Sequence, residues 1–247
     1  MDTEWTEDEM TRFENQPFST LLKEDGHLSA LCREYASVPA QERRKAADWE
    51  YHSQMANEIF NDSMAVIGEN GLRSSGWPSG IVALAIDPLY GPAILTVGSI
   101  EYQVGRIEEA MKLFYRLLEL PKNEEDLSII IDKAGDFLID QEDYENSLSL
   151  YSAAEKVFPH EVIYPIGAGY CLGILGHYEK SVEKHRVADA LEPDNYKHLN
   201  DLGYALLEAG KLDEAEEVLR RSISLAPSDY EFPHNNLGEI REKRKGK

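Results

Sequence analysis

The sequence repeats itself with a period of 34 residues over its second half. Prolines occur at positions 159, 193 and 227, and four other columns of similar residues keep the same spacing. Those columns are Gly135, Gly169 and Gly203; Tyr144, Tyr178 and Leu212; Ser147, Ser181 and Ala215; and Ala154, Ala188 and Ser222. A fixed period of this length is typical of a solenoid, in which one supersecondary unit stacks on copies of itself.

An earlier copy precedes these three at an offset of 37 residues. Its matching residues are Gly98, Ile107, Ala110, Phe114, Leu117 and Leu120. The three extra residues fit the polar stretch 121–126, which we interpret as a longer loop.

Each copy has the pattern of two helices joined by a turn. In the last full copy, apolar residues recur at helical spacing on both sides of Gly210, and Pro227 ends the second helix. The first helix carries Leu199, Leu202, Gly203 and Leu206, and the second carries Leu212, Ala215, Leu219, Ser222 and Leu225. Because one such hairpin cannot bury its apolar face alone, the copies must stack.

The stretch 200–229, NDLGYALLEAGKLDEAEEVLRRSISLAPSD, resembles the tetratricopeptide repeat family, and 167–195 is also similar to it. Two residues depart from the family's pattern, since Glu142 stands where a turn glycine is usual and His185 where an aromatic is usual. The resemblance covers about residues 91–227. It implies an all-α fold, an α-α superhelix (a TPR solenoid), with an irregular helical N-terminal region.

On this basis we predict four repeats within 91–227. Their approximate ranges are 91–124, 128–161, 162–195 and 196–229. A C-terminal capping helix and a basic tail would then occupy 228–247. The last seven residues carry five basic side chains and one acidic one, and we interpret them as a frayed, solvated terminus in preference to a contact with the acidic body or nucleic acid.

The first 90 residues do not keep the period cleanly. Their patterns predict helices over 3–14, 27–36 and 41–69. We interpret 41–90 as a degenerate repeat, because terminal repeats are usually atypical caps, with a separate small helical domain as the alternative.

A loop rich in glycine and serine, 68–80, interrupts this degenerate repeat. Trp77 lies at its tip. The tryptophan either anchors a partner or packs back onto the helices.

The charge of the chain restricts its partners. Acidic residues outnumber basic ones by 46 to 25, giving a formal net charge of −21. Such a surface repels phosphate backbones, so we expect no nucleic-acid partner and favour a basic protein or peptide instead.

Several other classes of site lack a signal. Cys32 and Cys171 are far apart, so neither a disulfide framework nor a zinc site is expected, and no segment has the apolar length for a membrane span. With no secretory signal either, the chain is predicted to be cytoplasmic. We expect no cofactor and no metal.

No catalytic constellation is evident, and we predict that the chain is not an enzyme. The seven histidines show no paired-ligand spacing, and no phosphate-binding loop or nucleophile motif occurs. His185 falls in a column that faces the interior of the repeat, which favours a packed core histidine over a ligand.

The family resemblance implies a concave groove lined by the first helices of successive repeats. The residues that it assigns to this groove are Ser99, Tyr102, Gln103, Asp132, Asp136, Asp140, Tyr170, Asn200, Tyr204 and Glu208. The three aspartates share one helix face and either bind a cationic group or form an ordinary solvated surface. The two later tyrosines either contact a ligand or pack between repeats.

The function predicted from these residues is a protein-interaction scaffold or adaptor, or a chaperone-like protein, that binds a basic or amphipathic peptide. A branch of the family grips the acidic tails of heat-shock chaperones with basic residues. Asp132 stands where that clamp would need a positive charge, which argues against such a ligand. The alternatives are a self-associating structural protein and an enzyme whose site lies in the first 90 residues; we expect a monomer or weak homo-oligomer.

Overall fold

The computed structural model describes residues 89–122 and 126–245, together with Pro17, Thr20 and Leu84. All regular elements in this part of the chain are helical, so the predicted all-α repeat fold is confirmed. The α-helices are α1 (Gly91–Gln103), α2 (Ile107–Arg116), α3 (Leu127–Asp140), α4 (Tyr144–Val157), α5 (Ile163–Ile174), α6 (Tyr178–Leu191), α7 (Tyr196–Glu208), α8 (Leu212–Leu225) and α9 (Phe232–Lys245). A 3₁₀ turn, Leu117–Glu119, follows α2.

The helices predicted over 3–14, 27–36 and 41–69, and the predicted loop with Trp77, lie outside the described residues. The chain divides into two compact units, Met1–Ala134 and Gly135–Lys247, here called the N-terminal and C-terminal units. The division into four repeats stays a prediction. The second helices of the last three predicted repeats nevertheless begin at Tyr144, Tyr178 and Leu212, which keeps the spacing of 34 residues.

In the N-terminal unit, α1 and α2 form a closely packed hairpin. A Cβ atom added at Gly98 would lie 2.5 Å from the ring of Phe114, which is fully buried. The absence of a side chain at Gly98 therefore lets the phenyl ring fill the space between the helices. Glu101 is also fully buried, and its carboxylate pairs with Arg106 at the start of α2.

The C-terminal unit repeats the same contact between a glycine and a large residue. A Cβ atom at Gly135 would lie 2.3 Å from the ring of Tyr151, and one at Gly167 would lie 2.5 Å from the same ring. Tyr151 is thus held between α3 and α5. In the two later hairpins, Gly169 faces His185 and Gly203 faces Leu219.

The serine column has a hydrogen-bonding role that the spacing alone did not indicate. Ser147 Oγ donates to the carbonyl of Gly135 at 3.0 Å, and Ser181 Oγ donates to that of Gly169 at 2.8 Å. Each serine is buried and ties its second helix to the first.

Each turn between paired helices contains one residue with a left-handed backbone conformation. Gly105, Gly176 and Gly210 have φ values of 83°, 77° and 75°, and Glu142 takes the same place with φ of 58°. A side chain at positive φ is sterically disfavoured, so the departure at Glu142 has a cost in backbone strain.

The last helix corrects one prediction. The basic tail is helical as far as Lys245, where α9 ends. Its basic side chains contact acidic residues of the preceding repeats, so this part of the tail is not a frayed terminus. Leu237 and Ile240 of α9 are buried against α7 and α8. Arg244 donates to Asp213 at 2.6 Å and also pairs with Glu216 on α8. The neighbouring helices therefore fix a segment whose charge alone suggested solvation.

Candidate functional site

The first helices of the last two hairpins carry exposed aromatic rings. Tyr170 on α5 and Tyr204 on α7 are each 48% exposed, and Ile174, one turn after Tyr170, is 52% exposed. Each tyrosine directly follows a glycine, Gly169 or Gly203, that packs against the paired helix. Because successive helical residues point about 100° apart, the glycine faces the partner helix and the tyrosine faces away from it.

Each exposed tyrosine has a second tyrosine near it. Tyr144, at the start of α4, lies near Tyr170, and Tyr178, at the start of α6, lies near Tyr204. Partial burial raises the pKa of Tyr204, and the carboxylates of Glu208 and Glu239 raise it further. Its hydroxyl therefore stays protonated near neutral pH and is available as a hydrogen-bond donor.

Two exposed carboxylates lie on α3, the first helix of the preceding hairpin. Asp136 on α3 accepts a hydrogen bond from Tyr151 Oη at 3.1 Å, and Asp140 lies one turn further along the same helix. Both aspartates are exposed as whole residues. The carboxyl group of Asp136 is nevertheless partly buried, and this burial raises its pKa. The hydrogen bond from Tyr151 opposes the rise in pKa, and the charge of Asp140 adds to it. The Asp136 charge also acts on the thiol of Cys171, which is adjacent to Tyr170 in α5.

Glu208 lies one turn beyond Tyr204 at the end of α7. Its carboxylate accepts a hydrogen bond from Lys243 Nζ of α9 at 2.8 Å. The contact joins residues 35 positions apart. It was missed in the sequence because Lys243 falls beyond the last repeat and carries no periodic signal. We call the group formed by Asp136, Asp140, Tyr170, Ile174, Tyr204 and Glu208, all of the C-terminal unit, the tyrosine face.

The remaining groove residues predicted from the sequence lie elsewhere. Ser99 is buried and donates to the carbonyl of Leu95 at 2.9 Å. Tyr102 and Gln103, at the end of α1, are half-buried, and Asp132 is half-buried on α3; all four belong to the N-terminal unit.

Asn200 is the other predicted groove residue that is buried. Its side-chain oxygen accepts a hydrogen bond from Asn236 of α9 at 3.0 Å, and its amide group donates to Asp201 at 3.3 Å. Because both ends of the amide are used inside the protein, we leave Asn200, like Ser99, out of the tyrosine face.

His185 of the C-terminal unit is buried, and Asp201 is partly buried in the same unit. Burial lowers the pKa of His185 to about 4, with a smaller effect from His198. Its burial confirms the prediction of a packed core histidine. Burial also raises the pKa of Asp201 to about 6, an effect that the hydrogen bond from Asn200 opposes.

Neither a metal site nor a membrane span occurs in the described part of the chain. Over residues 89–122 and 126–245, histidine, cysteine, aspartate and glutamate nowhere group in a way that could hold a metal ion. In the same ranges no helix has the length and apolar character to cross a bilayer.

Comparison with known proteins finds a matching family for one segment of the chain. Residues 175–230, which contain α6, α7 and α8, match a family model described as tetratricopeptide repeat. This segment is therefore similar to tetratricopeptide repeats. The Gly203–Leu219 contact thus belongs to a tetratricopeptide hairpin, as the sequence resemblance implied.

Similar tetratricopeptide proteins cover only part of this chain. The small glutamine-rich tetratricopeptide repeat-containing protein 2 of Saccharomyces cerevisiae is 27% identical over 107 residues, which are 43% of this chain and 30% of that protein. The chain therefore spans less than a third of the length of this curated relative.

Two solved structures align with parts of this chain. MamA, residues 41 to the end, from Desulfovibrio magneticus RS-1 aligns with a TM-score of 0.50 at 17% identity, covering 75% of this chain and 98% of that one. The first TPR of Spaghetti (RPAP3), bound to the HSP90 peptide SRMEEVD, aligns with a TM-score of 0.45 at 20% identity, covering 48% of this chain and 95% of that one. The likeness to MamA concerns the fold alone.

Proposed function

We propose that this chain is a protein-interaction adaptor whose tyrosine face binds a basic or amphipathic peptide segment. The observation that carries the proposal is the exposure of Tyr170 and Tyr204 at equivalent repeat positions, with the carboxylate of Glu208 near Tyr204. A half-exposed tyrosine presents an apolar ring and a hydroxyl that a partner can contact together. The proposed role is binding, with no chemical step.

The chemistry of the face favours a lysine or arginine flanked by apolar residues. A tyrosine ring offers broad apolar area at small entropic cost and attracts a cation over its face. Asp136, Asp140 and Glu208 would neutralise the cation, while Ile174 would contact an aliphatic neighbour. The surplus of acidic residues over the whole chain supports the same choice, because it attracts basic partners at long range.

An acidic peptide is a poor fit for this face. The RPAP3 domain mentioned above binds the peptide SRMEEVD, which has acidic residues near its end. On the tyrosine face such residues would meet Asp136, Asp140 and Glu208, and like charges brought together repel. We therefore propose a ligand of opposite charge for this chain.

The proposal can be tested with three short fluorescein-labelled peptides at physiological salt. One alternates lysine and leucine, the second alternates glutamate and leucine, and the third is SRMEEVD. We expect fluorescence anisotropy to show binding of the lysine peptide at least about tenfold tighter than of the other two, because each well-formed contact of this kind contributes on the order of 1 kcal/mol.

Two matched variant pairs separate the tyrosine face from general electrostatic attraction. Tyr204→Ala should weaken lysine-peptide binding by about fivefold or more, whereas Tyr115→Ala, an exposed tyrosine of α2, should not. Asp136→Asn with Asp140→Asn removes two charges, as does Glu183→Gln with Glu217→Gln on the exposed second-helix surface. If both charge pairs weaken binding equally, only the net charge matters and the proposed face is wrong.

A further inference from the structure

The C-terminal helix brings a cation to one end of the tyrosine face. Lys243 Nζ lies 2.8 Å from Glu208 Oε1 and 3.4 Å from Glu239 Oε1. Tyr204 is close enough for the Lys243 charge to act on its hydroxyl. The protein's own lysine therefore pairs with the carboxylate, and lies near the tyrosine hydroxyl, that we propose for a ligand's lysine or arginine.

Other contacts hold α9 in place without Lys243. Leu237 and Ile240 are buried in the core of the C-terminal unit. Asn236 donates to Asn200 of α7, and Arg244 pairs with Asp213 of α8. Removal of the Lys243 charge should consequently leave the helix docked.

The Lys243–Glu208 pair is suited to exchange. The lysine side chain is 40% exposed and the glutamate side chain 22% exposed. A pair that water can reach adds little net free energy, because both charges are also stabilised when they are apart. A ligand cation could take the place of Lys243 at Glu208 and contact the ring of Tyr204 as well. The fold would tolerate this exchange, because it does not depend on the Lys243–Glu208 pair.

We infer that Lys243 is an internal competitor for the tyrosine face: it occupies Glu208 in the free protein and is displaced when a cationic residue of the partner binds beside Tyr204. The inference rests on the proposed function and adds a regulatory contact to it. The affinity for a basic segment is set partly by how firmly α9 holds its own lysine against Glu208.

The test compares Lys243→Gln with Lys245→Gln in the full chain, using the labelled lysine–leucine peptide. Each variant lowers the net charge by one unit, but Lys245 pairs with Glu242 on α9 itself and does not touch Glu208. We expect Lys243→Gln to bind the peptide about fivefold tighter than wild type, the gain that corresponds to loss of one partly exposed ion pair. Lys245→Gln should change binding by less than about twofold.

A second comparison asks whether the gain acts through Glu208. With Glu208→Gln in place, adding Lys243→Gln should no longer tighten binding. Equal effects of the two lysine variants, or a gain that persists with Glu208→Gln, would overturn the inference. If wild type prefers the lysine peptide and depends on Tyr204 but Lys243→Gln gains nothing, the inference alone is wrong. If wild type shows no preference for the lysine peptide, the proposed function fails as well.

Discussion

Neighbouring residues in two consecutive hairpins face opposite sides of the repeat. Gly169 and Gly203 lie against His185 and Leu219 and leave no room for a side chain. The next residue in each case, Tyr170 or Tyr204, is half-exposed. The inner side of these helices is therefore constrained by packing, whereas the outer side is free to carry a binding function. Substitutions one residue apart should separate stability from binding.

The strongest test of the inner side is Gly135→Ala. The new Cβ atom would lie 2.3 Å from the ring of Tyr151, and Gly167 of α5 also approaches that ring closely, so the ring has little room to move. We expect a loss of about 3 kcal/mol in the free energy of unfolding, measured by urea denaturation. Gly238→Ala is the control, since a Cβ atom there meets nothing within 4 Å. It should gain about 0.5–1 kcal/mol, as alanine does over glycine in a helix. Similar results for the two variants would refute the close packing at Gly135.

His185→Leu tests a polar residue on the inner side. In the folded protein the pKa of His185 is about 4, below the value of 6.5 in the unfolded chain. The contribution of the neutral histidine to stability is therefore complete above pH 6.5 and is lost as the pH falls toward 4. Between pH 7.5 and pH 5, wild type should lose about 2 kcal/mol more than the leucine variant, which copies Leu219 of the next hairpin. If the free energy of unfolding changed with pH equally in both proteins, the pKa of His185 would not be lowered in the folded state.

Asp201→Asn tests a partly buried carboxyl on another side of α7, with the opposite pH dependence. The folded pKa of about 6 lies above the unfolded value of 3.8, so stability is complete below 3.8 and is lost as the pH rises through 6. The asparagine variant should be more stable by about 2 kcal/mol at pH 7.5 and should lose this advantage near pH 4. Thermal unfolding at both pH values measures the effect, and a variant that is less stable at pH 7.5 would contradict it.

Glu142→Gly restores the turn residue found in the neighbouring hairpins. Glycine adopts positive φ without steric cost, so this variant should gain about 1 kcal/mol. Urea denaturation can be compared with that of Glu145→Gly, which lies in the first turn of α4 and should lose stability. A loss at Glu142 would mean that its side chain stabilises the turn by more than the strain costs.

The smallest stability effect is expected on the outer side. Tyr204→Ala should change the free energy of unfolding by less than about 0.5 kcal/mol, because half of the side chain is already in water. The same variant is expected to lose peptide binding. A stability loss as large as that of Gly135→Ala would remove the distinction between the two sides of the repeat.

The hairpins could be predicted because their signals are local and recur. A glycine, a large residue and a small residue at fixed spacing require two helices in close contact, and the second helices begin at Tyr144, Tyr178 and Leu212 as the period indicates. The ion pairs formed by the basic tail could not be predicted in the same way. Lys243 and Arg244 meet acids that lie 35 and about 30 positions earlier, and one copy of a contact leaves no periodic trace.

For the candidate site, the sequence indicated which helix face the polar and aromatic residues share, and only the tertiary structure decided which of them are accessible. The family resemblance assigned Tyr170, Tyr204 and Asn200 alike to the groove. The two tyrosines are half-exposed, but Asn200 is covered by α9 and bonded to Asn236. Helical periodicity follows from backbone geometry within a single element, so the sequence by itself determined the repeating hairpins. Exposure depends on which distant segment packs on each helix, so it was decided by the fold.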